Sequence, residues 1–124
     1  MGKRIHADVL DGALGYFGAH CDKLVICTVE PAGYAEATGA ALLAEAGLDA
    51  GDFTLADGDT GGRKMSVAAQ PLVPVTTGGA ATHIALLDTA TSRVLLVTTM
   101  TEKVMAAGDY ANVPAFDFEI GDPV

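Results

Sequence analysis

The longest hydrophobic pattern in the chain lies between residues 78 and 101 and divides into two segments. Residues 80–87 and 93–99 are rich in aliphatic and β-branched side chains, and the polar residues 88–92 lie between them. Two such segments joined by a short polar turn are typical of a β-hairpin. Because apolar side chains occupy both faces of each segment, we predict two central strands, covered on both sides, that form the core of the fold.

Strict alternation assigns the side chains of this hairpin to its two faces. It places Ala81 on the face opposite Ile84, and Leu95 on the face opposite Leu96. We also expect four large apolar side chains from this hairpin and from the last apolar segment to share one core: Ile84, Leu96, Phe116 and Phe118.

The other periodic segments predict helices and short strands. Residues 4–19 show a helical period, with Asp8 and Asp11 on the polar side and apolar side chains at Ile5, Val9, Leu10, Ala13, Leu14 and Phe17. Residues 40–46 have high helix propensity, so we predict a short helix there. Strands are predicted at residues 23–29, 53–55, 64–70 and 113–120, and the prolines restrict residues 72–77 to an edge strand or a connection.

These elements predict a mainly β protein with a helix: an antiparallel β-sandwich or small barrel preceded by an N-terminal α-helix. A chain of 124 residues is long enough for one domain that buries roughly two-thirds of its unfolded surface. We therefore predict a single domain over residues 1–124, in which residues 1–20 form an N-terminal arm and helix. Residues 21–124 form the β-rich body.

The charge of the chain limits the partners that it is expected to bind. The formal net charge is −9, from 16 acidic and 7 basic residues. This balance argues against nucleic acid and against an anionic membrane as partners, since both require a positive surface. The sequence also lacks the pattern of a secretory leader and of a membrane-spanning helix, so we expect synthesis in the cytoplasm.

Residues that might carry chemistry do not form a complete site in the sequence. Cys21 and Cys27 are predicted to be small buried residues on one face of a strand, about 20 Å apart and beyond the reach of a disulfide. Asp57 and Asp59 begin a pattern similar to a calcium loop, but the later ligand positions lack oxygen side chains, so we predict a glycine-rich turn. His83 lies within a strand and is predicted to be a hydrogen-bonded structural residue. We expect no catalytic residue, metal or cofactor, and no enzyme activity.

The first six residues are the candidate partner-contact site. Met1, Lys3, Arg4 and His6 form a cationic cluster in an acidic chain, and Ile5 adds an apolar side chain. Positive charge at this position opposes the dipole of the helix that follows. A role in stabilising the helix is therefore disfavoured, and we predict that this segment reaches onto a partner or a neighbouring copy.

Three segments together resemble a family of small virion proteins of tailed bacteriophages. They are RIHADVLDGALGYF, FTLADGDTGGRKMSVAA and TGGAATHIALLDTATSRVLLVTT. The matching positions are Asp57, Gly58, Asp59, Gly62, Arg63 and Lys64 in a turn, then Gly79, Ala81, His83, Ala85, Leu86 and Asp88 in a strand. The resemblance covers most of the chain and departs mainly at the alanine-rich residues 35–47.

This resemblance implies a structural protein of the virion. We expect a capsid decoration (cement) protein that binds the major capsid protein on the outside of the head shell and forms homo-oligomers. A tail or fibre-associated virion component is the alternative within the same class. A cellular ligand-binding β-sandwich is the alternative from another class, and it requires a concave pocket with converging polar groups.

Overall fold

A computed structural model describes residues 5–59 and 61–121. The helices in this part of the chain are α1 (Ala7–His20) and α2 (Tyr34–Ala37), with one 3₁₀ turn at Ala50–Asp52. The strands are β1 (Lys23–Cys27), β2 (Leu42–Gly47), β3 (Phe53–Asp57), β4 (Arg63–Val67), β5 (Gln70–Pro74), β6 (Gly79–Asp88), β7 (Arg93–Met105), β8 (Tyr110–Val113) and β9 (Phe116–Ile120). The protein is mainly β with an N-terminal helix, which confirms the predicted fold class.

The strands form three antiparallel sheets, with the orders β2-β1-β6-β7, β3-β4-β9 and β5-β8. A bridge between Ala44 and Val75 connects β2 to the end of β5, so the first and third sheets follow one another around the core. In the described residues, β7 and β8 are the outer strands of this arrangement. They are joined by a tight turn, in which the Asp109 amide donates to the Ala106 carbonyl at 3.1 Å, but they do not pair with each other.

The predicted central hairpin is present as β6 and β7, and its first strand has the predicted environment. β6 lies between β1 and β7, and its residues from Ile84 to Asp88 are all buried. The prediction for β7 is wrong, because β7 is an outer strand whose side chains are mostly half-buried or exposed. Its apolar side chains still pack on both cores, Leu96 on the larger and Val97 on the smaller. Valine, leucine and threonine suit an outer strand as well as a central strand, so composition did not separate the two cases.

Two irregularities in the β6–β7 pairing change the predicted faces. The register shifts beside Leu86, and Leu95 is an extra residue in β7, so that Leu95 and Leu96 both pack against the larger core. A second shift follows Ala81, which lies in the same core as Ile84. Strict alternation is wrong at these positions because a β-bulge changes the face of the residues beyond it.

The core has two parts, one on each face of the β2-β1-β6-β7 sheet. The larger part draws side chains from all three sheets, and the four apolar residues predicted to share a core lie in it or against it. The smaller part lies on the other face, where Val25, Ala85 and Leu87 pack with Ala37 of α2 and the nearby Ala41. Because α2 covers this second face, β1 and β6 are enclosed on both sides.

Helix α1 is present as predicted, but it packs with a different face. Leu10 and Leu14 are buried, and Phe17 makes an edge contact with Phe118 at 4.7 Å between ring centroids. Asp11, predicted on the polar side, points to β4 and accepts a hydrogen bond from Arg63 Nε at 2.7 Å. This ion pair orients α1 on the β3-β4 hairpin, and a helical-period pattern cannot reveal such a partner 52 residues away.

The helix predicted at residues 40–46 is wrong. These residues form most of β2, which pairs with β1 from Lys23 opposite Gly47 to Cys27 opposite Leu42. Leu43 and Ala44 are buried in the larger core. The gain from burying them against β1 exceeds the weak local preference of alanine and leucine for a helix, and the helix that does form, α2, lies earlier in the chain.

The strand predicted at residues 113–120 is divided into β8 and β9 at Pro114 and Ala115. β8 pairs with β5, whereas β9 pairs with β4, where Phe118 lies opposite Met65. Proline has no amide hydrogen to donate to a ladder, which explains the division at this point. Phe116 and Phe118, which are predicted to lie in the core, are partly buried, whereas Ile120 is 38% exposed.

Candidate interaction surfaces

The predicted contact segment is only partly described by the structure. Met1, Lys3 and Arg4 lie outside the described residues, and Ile5 is 39% exposed. His6 caps α1, because its Nδ1 accepts a hydrogen bond from the Asp8 amide at 3.0 Å. His6 therefore has a structural role at the start of α1.

The outer face of α1 is more apolar than the sequence suggested. Val9, predicted to pack inward, is 63% exposed, and Ala13 is exposed one turn further on. Tyr16 continues this face and stacks on His20 at 4.0 Å between ring centroids. Together with Ile5, these residues form an apolar stripe along α1 that begins beside the predicted contact segment. We call it the α1 stripe: Ile5, Val9, Ala13 and Tyr16.

A groove separates β7 from β8 and the start of β9. It contains a cleft of about 450 Å³, with Ile26, Ile84 and Phe116 among its apolar walls. A second depression of about 350 Å³ follows it, and Lys103 and Met105 line both. The groove lies where the two outer strands of the fold approach each other without pairing.

The three most exposed large apolar side chains of the described residues lie on β5 and on the outer strands β7 and β8. Val104 is 79% exposed, Leu72 is 67% exposed and Tyr110 is 65% exposed. Val104 and Tyr110 line the second depression, and Tyr110 pairs across the β5-β8 ribbon with Pro74, two residues from Leu72. Val104 and Tyr110 therefore lie together, and Leu72 lies on the strand that pairs with β8.

The charged side chains are distributed unevenly around these surfaces. Lys23 lies within 4 Å of the Glu45 carboxylate. Arg63 and Lys64 each lie within 4 Å of carboxylates in or near α1, β3 and β9. No carboxylate of the described residues lies as close to Arg93 or Lys103, the two cations of β7. Lys103 and the carboxylate of Asp109 line the same depression without forming an ion pair there.

No protein-family model, curated protein or solved structure matches this chain.

The residues singled out for possible chemistry have structural partners. Asp57 and Asp59 lie around the β3-β4 turn, which confirms the predicted glycine-rich turn, and they pair with Arg63 and Lys64 at 2.7 and 2.9 Å. His83 Nδ1 lies 2.8 Å from the Thr82 hydroxyl, as expected of a hydrogen-bonded histidine within a strand. Within residues 5–59 and 61–121, no three histidine, cysteine, aspartate or glutamate side chains are arranged to hold a metal ion, and no described helix has the length and apolarity to cross a membrane.

Both cysteines are buried and free, but they do not share a face. Cys21 belongs to the larger core and Cys27 to the smaller one, on the other side of the sheet. The prediction of a common face is wrong because Cys21 is not part of β1. It lies between the end of α1 and the start of β1. Burial is the main cause that raises the pKa of each thiol to about 11.

Proposed function

We propose that this chain is a structural protein of a phage virion, and specifically a capsid decoration protein that binds the outside of the head shell. The resemblance of three long segments to small virion proteins supports the class. An acidic, small, mainly β domain with an apolar surface stripe is suited to a binding role rather than to catalysis. Its partner in this proposal is the major capsid protein.

The α1 stripe is the observation that carries this proposal. Helix α1 has apolar side chains on two faces. Leu10 and Leu14 are buried against the rest of the protein, whereas Val9 and Tyr16 expose apolar area to solvent. The stripe begins at Ile5, which also belongs to the predicted contact segment with its positive charge. We assign shell contact to the stripe and this segment together, since apolar area supplies affinity and the lysine and arginine locally offset the negative charge of the chain.

A repeated shell favours this kind of contact. Each decorating copy needs only modest affinity if neighbouring copies bind side by side and support one another. The groove between β7 and β8 is not required for this step, because α1 packs on β3 and β4, away from those strands.

The proposal is tested with two variants that carry the same substitution. Val9→Glu places a charge in the α1 stripe, and Val29→Glu places it in a loop where the valine is similarly exposed, at 50%. Both variants are expected to melt like the wild type. In co-sedimentation with phage heads that lack this protein, Val9→Glu and a chain without residues 1–5 should lose binding, whereas Val29→Glu should bind normally.

Normal binding of Val9→Glu and of the shortened chain would contradict the assigned contact. If Val29→Glu loses as much binding as Val9→Glu, the loss is a general effect of the added charge, and this result also contradicts the assigned contact. The stoichiometry of purified virions, measured by mass spectrometry, separates the decoration protein from the tail or fibre alternative. Hundreds of copies indicate the head, and a few to dozens indicate the tail.

A second candidate function is favoured by the 450 Å³ cleft, which falls within the usual range for small-molecule sites. Its walls combine apolar residues with Asn112, Lys103 and several threonines. A ligand-binding module would bind a fluorescent apolar probe such as anilinonaphthalene sulfonate saturably in this cleft. Thr101→Trp, which places a large side chain at the cleft, should then abolish the signal. This candidate is excluded if the wild type gives no signal, or if Thr101→Trp leaves the wild-type signal unaltered.

A further inference from the structure

The surface at the end of β7 and the start of β8 combines apolar area with unpaired charge. We call it the β7–β8 edge: Leu72, Lys103, Val104, Asp109 and Tyr110. Its three apolar members are the most exposed large apolar side chains of the described residues. Exposed apolar groups that cluster in this way mark contact sites, and tyrosine is enriched in such contacts.

The backbone at Leu72 is held in an unfavourable conformation that keeps its side chain on this surface. Its φ is 55°, in the left-handed region that residues with side chains seldom adopt. The Leu72 amide donates to Asn112 Oδ1 at 3.0 Å, so β8 fixes this conformation of β5. A strained residue that exposes a leucine to water is more consistent with a contact role than with stability of the free chain.

The two charges of the edge indicate what covers it. Lys103 and Asp109 line one depression and carry opposite charge, and neither has an ion-pair partner among the described residues. The edge is therefore locally neutral, on a chain whose net charge is −9. A second copy would be repelled by most of the acidic surface, but not here.

A surface with one cation and one anion is complementary to itself. In a two-fold symmetric contact, each residue pair occurs twice, so a lysine on one copy that meets an aspartate on the other forms two equivalent ion pairs. We propose that the β7–β8 edge joins two copies of this chain, with Lys103 of each copy paired to Asp109 of the other. Val104, Tyr110 and Leu72 supply the apolar centre of the contact.

This inference goes beyond the proposed function, since it concerns the free protein and uses elements other than α1. Its outcome does not depend on the identity of the particle. Val9→Glu, which tests shell binding, is expected to leave self-association unchanged. Failure of either proposal is therefore distinguishable from failure of the other.

The test is a charge exchange followed by sedimentation equilibrium over a range of protein concentrations. Lys103→Asp and Asp109→Lys each place like charges opposite each other, and each is expected to weaken the dimer by about tenfold or more. The double variant restores opposite charges and should associate within about threefold of the wild type. Arg93→Asp is the matched control, because it makes the same charge change at the other end of β7 and should leave the dimer intact.

Tyr110→Ser supplies an independent arm that leaves the charges in place. It should weaken the dimer without lowering the melting temperature at dilutions where the chain is monomeric, because the ring is mostly exposed in the free chain. A wild-type chain that stays monomeric at all concentrations overturns the proposal, as does a double variant no stronger than its parents. If the monomer shows slowed hydrogen exchange along residues 104–110 only when mixed with particles, a virion protein covers the edge instead of a second copy.

Discussion

Two aspartates hold the turn of the β6-β7 hairpin, one from inside the turn and one from the start of β1. Asp88 is buried, and its carboxylate accepts from the Ala90 amide at 3.1 Å and the Thr91 hydroxyl at 2.7 Å. Asp22 accepts from the amide and the hydroxyl of Thr89. The hairpin turn is thus tied to a residue that lies 67 positions earlier.

The bonds from Thr89 make the stability contributed by Asp22 dependent on pH. The hydrogen bond from the Thr89 hydroxyl, and then that from its amide, lowers the pKa of Asp22 from its ordinary value of 3.8. The folded chain therefore binds fewer protons here than the unfolded chain, and this contribution is complete above about pH 5 and is lost as the pH falls. We expect Asp22→Asn to unfold more easily than the wild type at neutral pH.

The difference between the two proteins should shrink as the pH falls through the acid range and disappear when both side chains are neutral. Urea unfolding at a series of pH values measures it. Glu30→Gln is the control, since it removes the same charge from an exposed loop position. A pH-independent difference between Asp22→Asn and the wild type would show that the carboxylate charge does not contribute.

At the scale of elements, the β3-β4 turn requires a glycine at position 62. Gly62 has a φ of 68°, and a Cβ at this position would collide with the carbonyl oxygen of Ile120 in β9. The Gly58 amide closes the turn by donating to the Gly62 carbonyl at 3.0 Å. Gly15 in α1 is the opposite case, because a Cβ there would meet no atom within 4 Å.

Alanine at these two positions is expected to have opposite effects. Gly62→Ala should destabilise the protein by about 2 kcal/mol or more, since left-handed strain and the collision with β9 add together. Gly15→Ala should stabilise it by about 0.5–1 kcal/mol, because alanine is the better helix former. Chemical denaturation of both variants measures the two changes, and a loss of stability in Gly15→Ala would mean that α1 is packed more closely than its surroundings indicate.

The elements that the sequence predicted correctly are those whose pattern is set by their own residues. The apolar segments of the β6-β7 hairpin and the helical period of the α1 residues were sufficient to predict these two elements. Residues 42–47 were missed because their alanines favour a helix locally, and only β1, about twenty residues earlier, makes them a strand. The face of α1 was missed for a similar reason, since the partner of Asp11 lies in β4.

The candidate surfaces were less predictable than the fold. The charge of the first residues indicated a contact site at the chain start, and Ile5 at the edge of that segment lies in the α1 stripe. The β7–β8 edge has no such signal, because exposure of Val104 and Tyr110 follows from the failure of two consecutive strands to pair. Pro71 and Pro74 around Leu72 were the available signal, since they indicate that β5 pairs irregularly with its neighbour.

At the scale of the whole molecule, the two cores protect the thiols. Burial raises the pKa of Cys21 and Cys27 to about 11, so little thiolate exists at neutral pH. An aromatic disulfide reagent is therefore expected to react with the folded chain far more slowly than with the unfolded chain, and to label two thiols per chain in denaturant. Absorbance at the wavelength of the released thiolate measures both rates.

Reductant should leave the melting temperature unchanged, since both thiols are free. Fast labelling of one thiol under native conditions would contradict the burial of that residue. Cys21→Ser and Cys27→Ser identify which thiol has reacted. Serine at either position also tests the two cores separately, since each cysteine lies in a different one.

The position of β6 between β1 and β7 also determines when the protein can fold during synthesis. β1 cannot pair with β6 until β6 has been synthesised, and β6 begins 56 residues after β1 starts. The first half of a nascent chain can therefore form only the local β1-β2 and β3-β4 hairpins. The edge of β1 that pairs with β6 stays unpaired until the ribosome has released β6. The protein therefore gains most of its structure late, in one step, as its last third emerges.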